Sequence, residues 1–171
     1  MELMVMNAQT HYQAGLKNYI LNTPKKNIMA AIEHFSQAVA LGHADAHYFL
    51  GRFYGLGDGI SIDFAKAKQH YEKGHTLGSY KCGYALGLMY HTGMGVEKDE
   101  VLAKEYFSSN YAILLSEAQA NDPVSMHILG TYYYYGFSVQ RYIFQALTWF
   151  LKASELGYSD SQYMLGMIYE T

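Results

Sequence analysis

The chain has 171 residues, of which 50% are hydrophobic and 16% charged, and its formal net charge at pH 7 is −3. This composition excludes an intrinsically disordered protein, and an acidic balance with 12 Lys and Arg residues argues against nucleic-acid binding. One cysteine, Cys82, excludes a disulfide framework and a zinc site built on several thiolates. No apolar run is long enough to span a membrane, and the first residues do not resemble an export signal. We therefore expect one cytoplasmic domain over residues 1–171.

A repeated Leu-Gly dipeptide sets the period of the chain. The glycines of its copies are Gly51, Gly87, Gly130 and Gly166, with a fainter copy at Gly15. Consecutive glycines of this set are 36 residues apart, except for one interval of 43. A tyrosine lies three residues after each of them except Gly15. Such a period is typical of a solenoid. The predicted repeat units are approximately 7–42, 43–78, 79–121 with a seven-residue insertion, 122–157, and a partial unit at 158–171.

Each unit is predicted to contain two helices joined by a short turn. In the second unit, apolar and small residues recur at helical spacing between about residues 45 and 55. Gly57 and Gly59 then end this helix, because glycine readily adopts the left-handed conformation. Asp63 and Asp99 occupy positions where an N-cap would begin the second helix of a unit.

The fourth unit departs from this pattern in its loop. Ser138 stands in place of the second glycine and Tyr142 in place of the capping aspartate, so we expect a loop of different shape. Two other dipeptides, Thr23-Pro24 and Asp122-Pro123, place a capping residue before proline and predict helix starts.

A glycine in the middle of each first helix requires a structural reason, since it costs about 1 kcal/mol relative to alanine. We expect the glycine to allow close packing against alanines of the second helix. These alanines are Ala31, Ala67, Ala103 and Ala146. The tyrosines and phenylalanines are then expected to pack between successive units.

The pattern resembles the Sel-1-like repeat, a branch of the tetratricopeptide superfamily. Its clearest copy comprises the run Ala46–Tyr54 with Leu50-Gly51, then Gly57-x-Gly59, Asp63, Lys66-Ala67, His70-Tyr71 and Lys73. The resemblance extends over nearly the whole chain. It implies an all-α, right-handed α-α superhelix of about four and a half helix-turn-helix repeats, and a family that includes bacterial signalling adaptors.

The long interval between Gly87 and Gly130 exceeds the period by seven residues, close to two helical turns. We therefore predict that the helix beginning at Asp99 continues to about Ala120. The run Ile113-Leu114-Leu115 lies in this extension. Either neighbouring helices cover these side chains, or they form a secondary apolar docking patch.

By analogy with tetratricopeptide grooves, the concave face carries the positions three before, one after and four after each mid-helix glycine. The candidate partner-binding residues at these positions are Tyr12, Tyr48, Arg52, Tyr84, Leu88, His91, His127, Thr131, Tyr134 and Tyr163. Tyrosine is favoured at interfaces because it brings contact area at low rotamer cost. The same tyrosines can alternatively be structural, and the sequence leaves both interpretations open.

We predict no catalytic residues, cofactor or metal site. His43 and His47 have the i, i+4 spacing of metal ligands, but the glutamate of the H-E-x-x-H motif is missing. Cys82 occupies a small-residue position of the repeat and is expected to be a buried packing thiol.

The predicted function is therefore that of a non-enzymatic adaptor that binds a peptide or protein, and neither nucleic acid nor membrane. The alternatives are a small-molecule or glycan binder, a weak hydrolase, or a module that self-assembles as a homodimer through an open C-terminal edge.

Overall fold

The computed structural model describes residues 7–20 and 27–170, and all regular secondary structure within these ranges is α-helical. The helices are α1 (Ala8–Tyr19), α2 (Ile28–Ala40), α3 (Ala46–Leu56), α4 (Phe64–Thr76), α5 (Tyr80–Thr92), α6 (Glu100–Gln119), α7 (Pro123–Tyr135), α8 (Ile143–Glu155) and α9 (Ser159–Tyr169). The prediction of an all-α repeat fold is confirmed.

The described residues form two compact units, which are larger than the repeat units and are called the first unit and the second unit from here on. The first contains α1 to α4 and α5 as far as Leu86, and the second contains α5 from Gly87 onward together with α6 to α9. In the first unit α1 packs against α2, α2 against α3, and α3 against α4. In the second unit α6 packs against α7, α7 against α8, and α8 against α9. A single domain over residues 1–171 stays a prediction.

Side-chain caps begin several of the helices where the sequence places them. The carboxylate of Asp63 accepts a hydrogen bond from the backbone N–H of Lys66 at 2.9 Å, and that of Asp122 accepts from the N–H of Ser125 at 2.9 Å. Asp99 accepts from two backbone N–H groups of the first turn of α6. These caps satisfy donors that a helix start otherwise leaves without a partner. The predicted start at Thr23-Pro24 lies outside the described residues.

Helix α6 is long, as the seven-residue insertion predicts, and it ends with Ala120 as its C-cap. The apolar run within it, however, does not form one exposed patch. Leu114 is 1% exposed and lies on the buried side of α6, whereas Ile113 is 46% exposed and Leu115 is half-buried. Consecutive residues of a helix point in different directions, about 100° apart, so three in a row cannot share one face.

The mid-helix glycines are covered by aromatic rings. A Cβ atom added to Gly130 would lie 2.6 Å from Cε1 of Phe150, and one added to Gly87 would lie 2.6 Å from Cε1 of Phe107. Gly15 meets Phe35 and Gly51 meets Tyr71 in the same way. This corrects the expectation that alanines cover the glycines: the alanines are buried, but the ring four residues further along the second helix reaches the glycine.

The loop between α7 and α8 keeps the backbone shape of the earlier loops, contrary to the prediction. Ser138 has a φ of 53°, where Gly59 and Gly95 have 76° and 71°. The backbone N–H of Tyr142 donates to the carbonyl oxygen of Tyr133 at 2.9 Å, a bond that the two earlier loops also make. A serine therefore adopts a conformation that side-chain-bearing residues rarely occupy, and Tyr142 provides no side-chain cap to α8.

Candidate interaction surfaces

The predicted partner-binding residues differ widely in exposure. Tyr12, Tyr48, Tyr84 and Thr131 are buried, at 5%, 2%, 6% and 6% exposed. The half-buried members are Arg52, Leu88, His91, His127 and Tyr134, and the exposed member is Tyr163. The buried side chains thus have structural positions, and the surface that remains for a partner is narrower than the sequence predicts. Four of the ten residues, from Tyr12 to Tyr84, lie in the first unit and six in the second.

Tyr48 belongs to an aromatic cluster in the first unit. Its ring meets that of Phe49 edge-on, with centroids 5.2 Å apart. Arg52 donates from Nη1 to the hydroxyl oxygen of Tyr48 at 3.3 Å, and its guanidinium carbon lies 5.8 Å from the tyrosine ring centroid. Tyr48 therefore holds the half-buried guanidinium in position. Arg52 is the charged residue among the four predicted partner-binding residues of the first unit.

Two histidine pairs join helices of the first unit, one between α1 and α2 and the other between α3 and α4. The Nδ1 atoms of His11 and His34 are 3.3 Å apart, and those of His47 and His70 are 3.0 Å apart. Desolvation, with smaller effects of His47 and Lys73, lowers the pKa of His70 to about 4. Burial also lowers the pKa of His47. The imidazoles of His47 and His70 are consequently neutral at pH 7 and form a hydrogen-bonding pair between α3 and α4.

His43 and His47, which have the i, i+4 spacing of metal ligands, bind different partners. His43 stacks on Tyr12 with ring centroids 4.0 Å apart, and its Nε2 lies 2.9 Å from Oε1 of Gln9. His47 pairs instead with His70. Within residues 7–20 and 27–170, no three His, Cys, Asp or Glu side chains form a group that could hold a metal ion.

Cys82 is fully buried, and it lies against Gly74. Burial raises the pKa of its thiol to about 12. Because the thiolate is the nucleophilic form, this cysteine is inert at neutral pH. The prediction of a buried packing thiol is confirmed.

A buried charge cluster that sequence reasoning missed joins α3 to the start of α5. Lys81, whose side chain is 5% exposed, donates from Nζ to Oδ2 of Asp45 at 2.9 Å. The hydroxyl of Ser79 donates to the other carboxylate oxygen at 2.5 Å. The only signal in the sequence is that Asp45 and Lys81 occupy the same repeat position, 36 residues apart.

The second unit displays an exposed aromatic region around the loop between α7 and α8. We define the loop surface as Tyr134, Tyr135, Arg141, Tyr142 and Phe144. Tyr135, Tyr142 and Phe144 are 53%, 55% and 75% exposed. The rings of Tyr134 and Tyr135 meet edge-on at 4.8 Å, and those of Tyr142 and Phe144 lie 6.2 Å apart.

Arg141 contacts Tyr134 within the loop surface. Its Nε donates to the carbonyl oxygen of Tyr134 at 2.9 Å, and its guanidinium carbon lies 5.8 Å from the ring centroid of Tyr134. Tyr134 was among the residues selected from sequence. The other four residues were not among the predicted partner-binding residues, although the departures at Ser138 and Tyr142 indicated that this loop is unusual.

Two open clefts flank the loop. One has a volume of about 720 Å³, and its wall includes Val101, Lys104 and Glu105 of α6 together with Ser138 and Val139 of the loop. The other, of about 530 Å³, is lined by Tyr133, Val139, Gln140, Arg141 and Tyr142. Both volumes are large enough to receive several side chains of a bound peptide.

Among the helices described, none is both long enough and apolar enough to cross a membrane.

Comparison with known proteins agrees with this architecture. A family model described as the Sel1 repeat matches residues 11–43, 44–79, 84–109, 123–158 and 159–171. No curated protein matches the chain.

Several solved structures of bacterial proteins are similar to this chain. A protective antigen of uropathogenic Escherichia coli with an SLR fold is 29% identical, with a TM-score of 0.54 over 95% of this chain and 33% of its own. A Sel1 repeat protein from Oxalobacter formigenes is 28% identical, with a TM-score of 0.54 over 96% of this chain and 64% of its own. The cysteine-rich protein B of Helicobacter pylori is 26% identical, with a TM-score of 0.50 over 61% of this chain and 83% of its own. This chain therefore spans less than two thirds of the first two proteins.

Proposed function

Because the chain belongs to the Sel1 repeat family, whose members generally act as protein-interaction modules, we propose that it is a non-enzymatic module that binds a peptide or protein. The observation that carries this proposal is the loop surface of the second unit. It combines three aromatic side chains that are more than half exposed with an arginine held against a tyrosine ring. Aromatic residues and arginine are the residue types enriched at protein interfaces and at their energetic hot spots.

Two departures from the repeat in the loop between α7 and α8 also support a role of this surface in binding. Ser138 occupies a left-handed conformation, and Tyr142 leaves the start of α8 without a side-chain cap. In the loop between α3 and α4, the corresponding residues are Gly59 and the capping residue Asp63. Ser138 and Tyr142 lower stability locally without filling the core. Local departures of this kind are expected at functional sites.

A peptide selection tests this function directly. Peptides are selected from a random library displayed on phage against the immobilised chain, and their affinities are measured by fluorescence anisotropy. We expect the double variant Tyr142→Ala with Phe144→Ala to weaken binding by at least about tenfold, since two exposed aromatic contacts are lost. Circular dichroism should remain unchanged because both side chains point to solvent.

The matched control is Leu77→Ala, which removes a 54% exposed apolar side chain from the first unit. It should leave affinity unchanged. Failure to select any peptide would contradict the proposed function. If peptides instead tolerate the double variant and lose affinity with Arg52→Ala, the binding surface lies in the first unit and the assignment to the loop surface is wrong.

A further inference from the structure

Two positively charged side chains line the clefts beside the loop surface. Lys104 of α6 lines the larger cleft, of about 720 Å³, and Arg141 lines the smaller one, of about 530 Å³. Val139 and Gln140 line both clefts, so the clefts lie next to each other at the loop. Both cations are exposed, and among the residues that the structure describes neither has a carboxylate within ion-pair distance.

In an earlier repeat, the lysine at the position of Lys104 has a carboxylate partner. This lysine is Lys68 of α4, and its Nζ lies 3.1 Å from Oε1 of Glu72, one helical turn further along. The residue of α6 that corresponds to Glu72 is Ser108, which lines the larger cleft. The ion pair of α4 therefore has no equivalent in α6, and the ammonium group of Lys104 is available to a ligand in the cleft.

Arg141 has lost its partner in the same way. The corresponding residue of the loop between α5 and α6 is Lys98, whose Nζ lies 3.0 Å from Oε1 of Glu100. The residue that corresponds to Glu100 is Ile143. Arg141 uses its Nε to donate to the carbonyl oxygen of Tyr134. Its two terminal nitrogens can still bind a carboxylate, and guanidinium is the group best suited to do so.

The positive charge of the clefts contrasts with the charge of the second unit as a whole. Residues 87–171 contain four Lys and Arg residues and nine Asp and Glu residues. The residues lining the two clefts include both cations and one carboxylate, that of Glu105. At physiological ionic strength, exposed charges more than about 8 Å apart are largely screened from each other. A ligand in the clefts therefore interacts mainly with the charges that line them.

The positions of the loop surface are also exposed in repeats that are followed by further helices. Phe144 corresponds to Val101 of α6, which is 71% exposed although α7 and α8 follow it. Arg141 corresponds to Ile62, which is 58% exposed in the loop between α3 and α4. Stacking of another repeat thus leaves these positions accessible.

We propose that the loop surface and its two clefts bind an acidic segment of a partner protein. Asp or Glu side chains of this segment pair with Lys104 and Arg141, and an apolar side chain packs on Tyr142 and Phe144. The partner's carboxylates replace those that pair with the corresponding lysines in the other repeats. This inference rests on the proposed function and adds the chemical class of the peptide.

Three pools of random peptides displayed on phage test the charge of the partner. The pools have the same aromatic content, and their other positions are biased towards Asp and Glu, towards Lys and Arg, or towards uncharged residues. We expect the immobilised chain to enrich peptides of the acidic pool. If peptides of another pool bind the loop surface as tightly, the proposed function holds and the acidic partner is wrong. If no pool yields a peptide, the proposed function itself fails.

The decisive variant restores the two missing carboxylates within the chain. Ser108→Glu with Ile143→Glu places them at the positions that hold them in the other repeats. Ser108→Gln with Ile143→Gln is the matched variant, because glutamine has the size of glutamate without its charge. We expect the glutamate variant to bind a fluorescently labelled peptide of the acidic pool at least about fivefold more weakly than the glutamine variant does, since both cations are then neutralised. Fluorescence anisotropy measures both affinities, and circular dichroism checks that both variants are folded.

Two further measurements locate the interaction. Raising the NaCl concentration from about 0.05 M to about 0.5 M should weaken binding to the original chain more than binding to the glutamate variant, because salt screens the charge pairs. Lys152→Gln removes an exposed positive charge of the second unit that lines neither cleft. It should leave the affinity unchanged.

Three results would overturn the proposal. Equal affinities of the glutamate and glutamine variants would show that the peptide's carboxylates do not meet these cations. A loss of affinity with Lys152→Gln as large as that with the glutamate variant would show that the charge of the whole unit attracts the peptide. A single-stranded oligonucleotide that competes as strongly as the unlabelled acidic peptide would indicate a general anion site, and the assignment to a protein would be wrong.

Discussion

The helix pair α3–α4 of the first unit and the helices α7 to α9 of the second are built on the same repeat, but they differ in what holds them together. In α3–α4 a histidine pair joins the helices, and Asp63 caps the second one. In α7–α8 the capping position is Tyr142, which makes no cap, and α9 has an uncovered glycine. The difference shows that the glycine–ring contact is the common element, whereas caps and polar pairs vary.

The largest effect is expected at the mid-helix glycines. Gly130 is covered by an aromatic ring and Gly166 is not, so the same substitution can be compared at both positions. Gly130→Ala should lower the free energy of unfolding by about 1–3 kcal/mol, because its Cβ would overlap the ring of Phe150. Gly166→Ala should raise it by about 0.5–1 kcal/mol, because alanine is the better helix former and meets no atom. Urea denaturation followed by circular dichroism measures both.

Opposite signs for these two variants would establish that ring packing offsets the cost of glycine. If both variants lower the free energy of unfolding equally, Gly166 is covered in solution, and the contrast between Gly130 and Gly166 is wrong.

The next effect concerns the histidine pair that α7–α8 lacks. The pKa of His70 is lowered to about 4 and that of His47 is also lowered, chiefly by burial. Between pH 6.5 and about 4 the unfolded chain therefore binds more protons than the folded chain. The stability that the neutral pair provides is present above pH 6.5 and is lost as the pH falls towards 4.

Urea denaturation at pH 7 and pH 5 measures this dependence. We expect the free energy of unfolding to be lower at pH 5, and His70→Gln to reduce the difference between the two pH values. The comparison uses that difference within each protein, so a general destabilisation by the substitution does not affect it. A His70→Gln variant with the same pH dependence as the original chain would show that other groups are responsible.

The sequence predicts the elements of this fold well because period and capping chemistry are local. The length of α6 follows from a seven-residue insertion that preserves helical phase, and Asp63 and Asp99 begin their helices as expected. Which residue covers a glycine depends instead on how two helices cross, and so Phe150 rather than Ala146 was the contact to expect.

The candidate site was harder to predict because exposure depends on neighbouring helices. Tyr48 and Tyr84 occupy groove positions by spacing, but the helices around them bury both rings. The charge cluster of Asp45 and Lys81 forms only when successive repeats stack, which no local pattern indicates. Tyr142 was noticed as a departure from the repeat, yet its exposure was visible only in the structure.

The smallest effect separates stability from binding in the loop surface. Tyr142 has φ and ψ of −147° and 96°, close to the −149° and 91° of the capping residue Asp63. Tyr142→Asp should therefore add the missing cap to α8 and raise the free energy of unfolding by about 1 kcal/mol. Asp63→Ala is the matched control and should lower it by a similar amount, because it removes the cap from α4.

The same Tyr142→Asp variant should bind the peptides selected on the loop surface more weakly, since it replaces an aromatic contact with a charge. A more stable chain with weaker binding would show that the tyrosine is retained for recognition at the expense of the helix cap. A variant that gains stability and keeps its affinity would show that Tyr142 lies outside the binding surface, and one that gains no stability would show that the loop backbone differs from that of α3–α4 in solution.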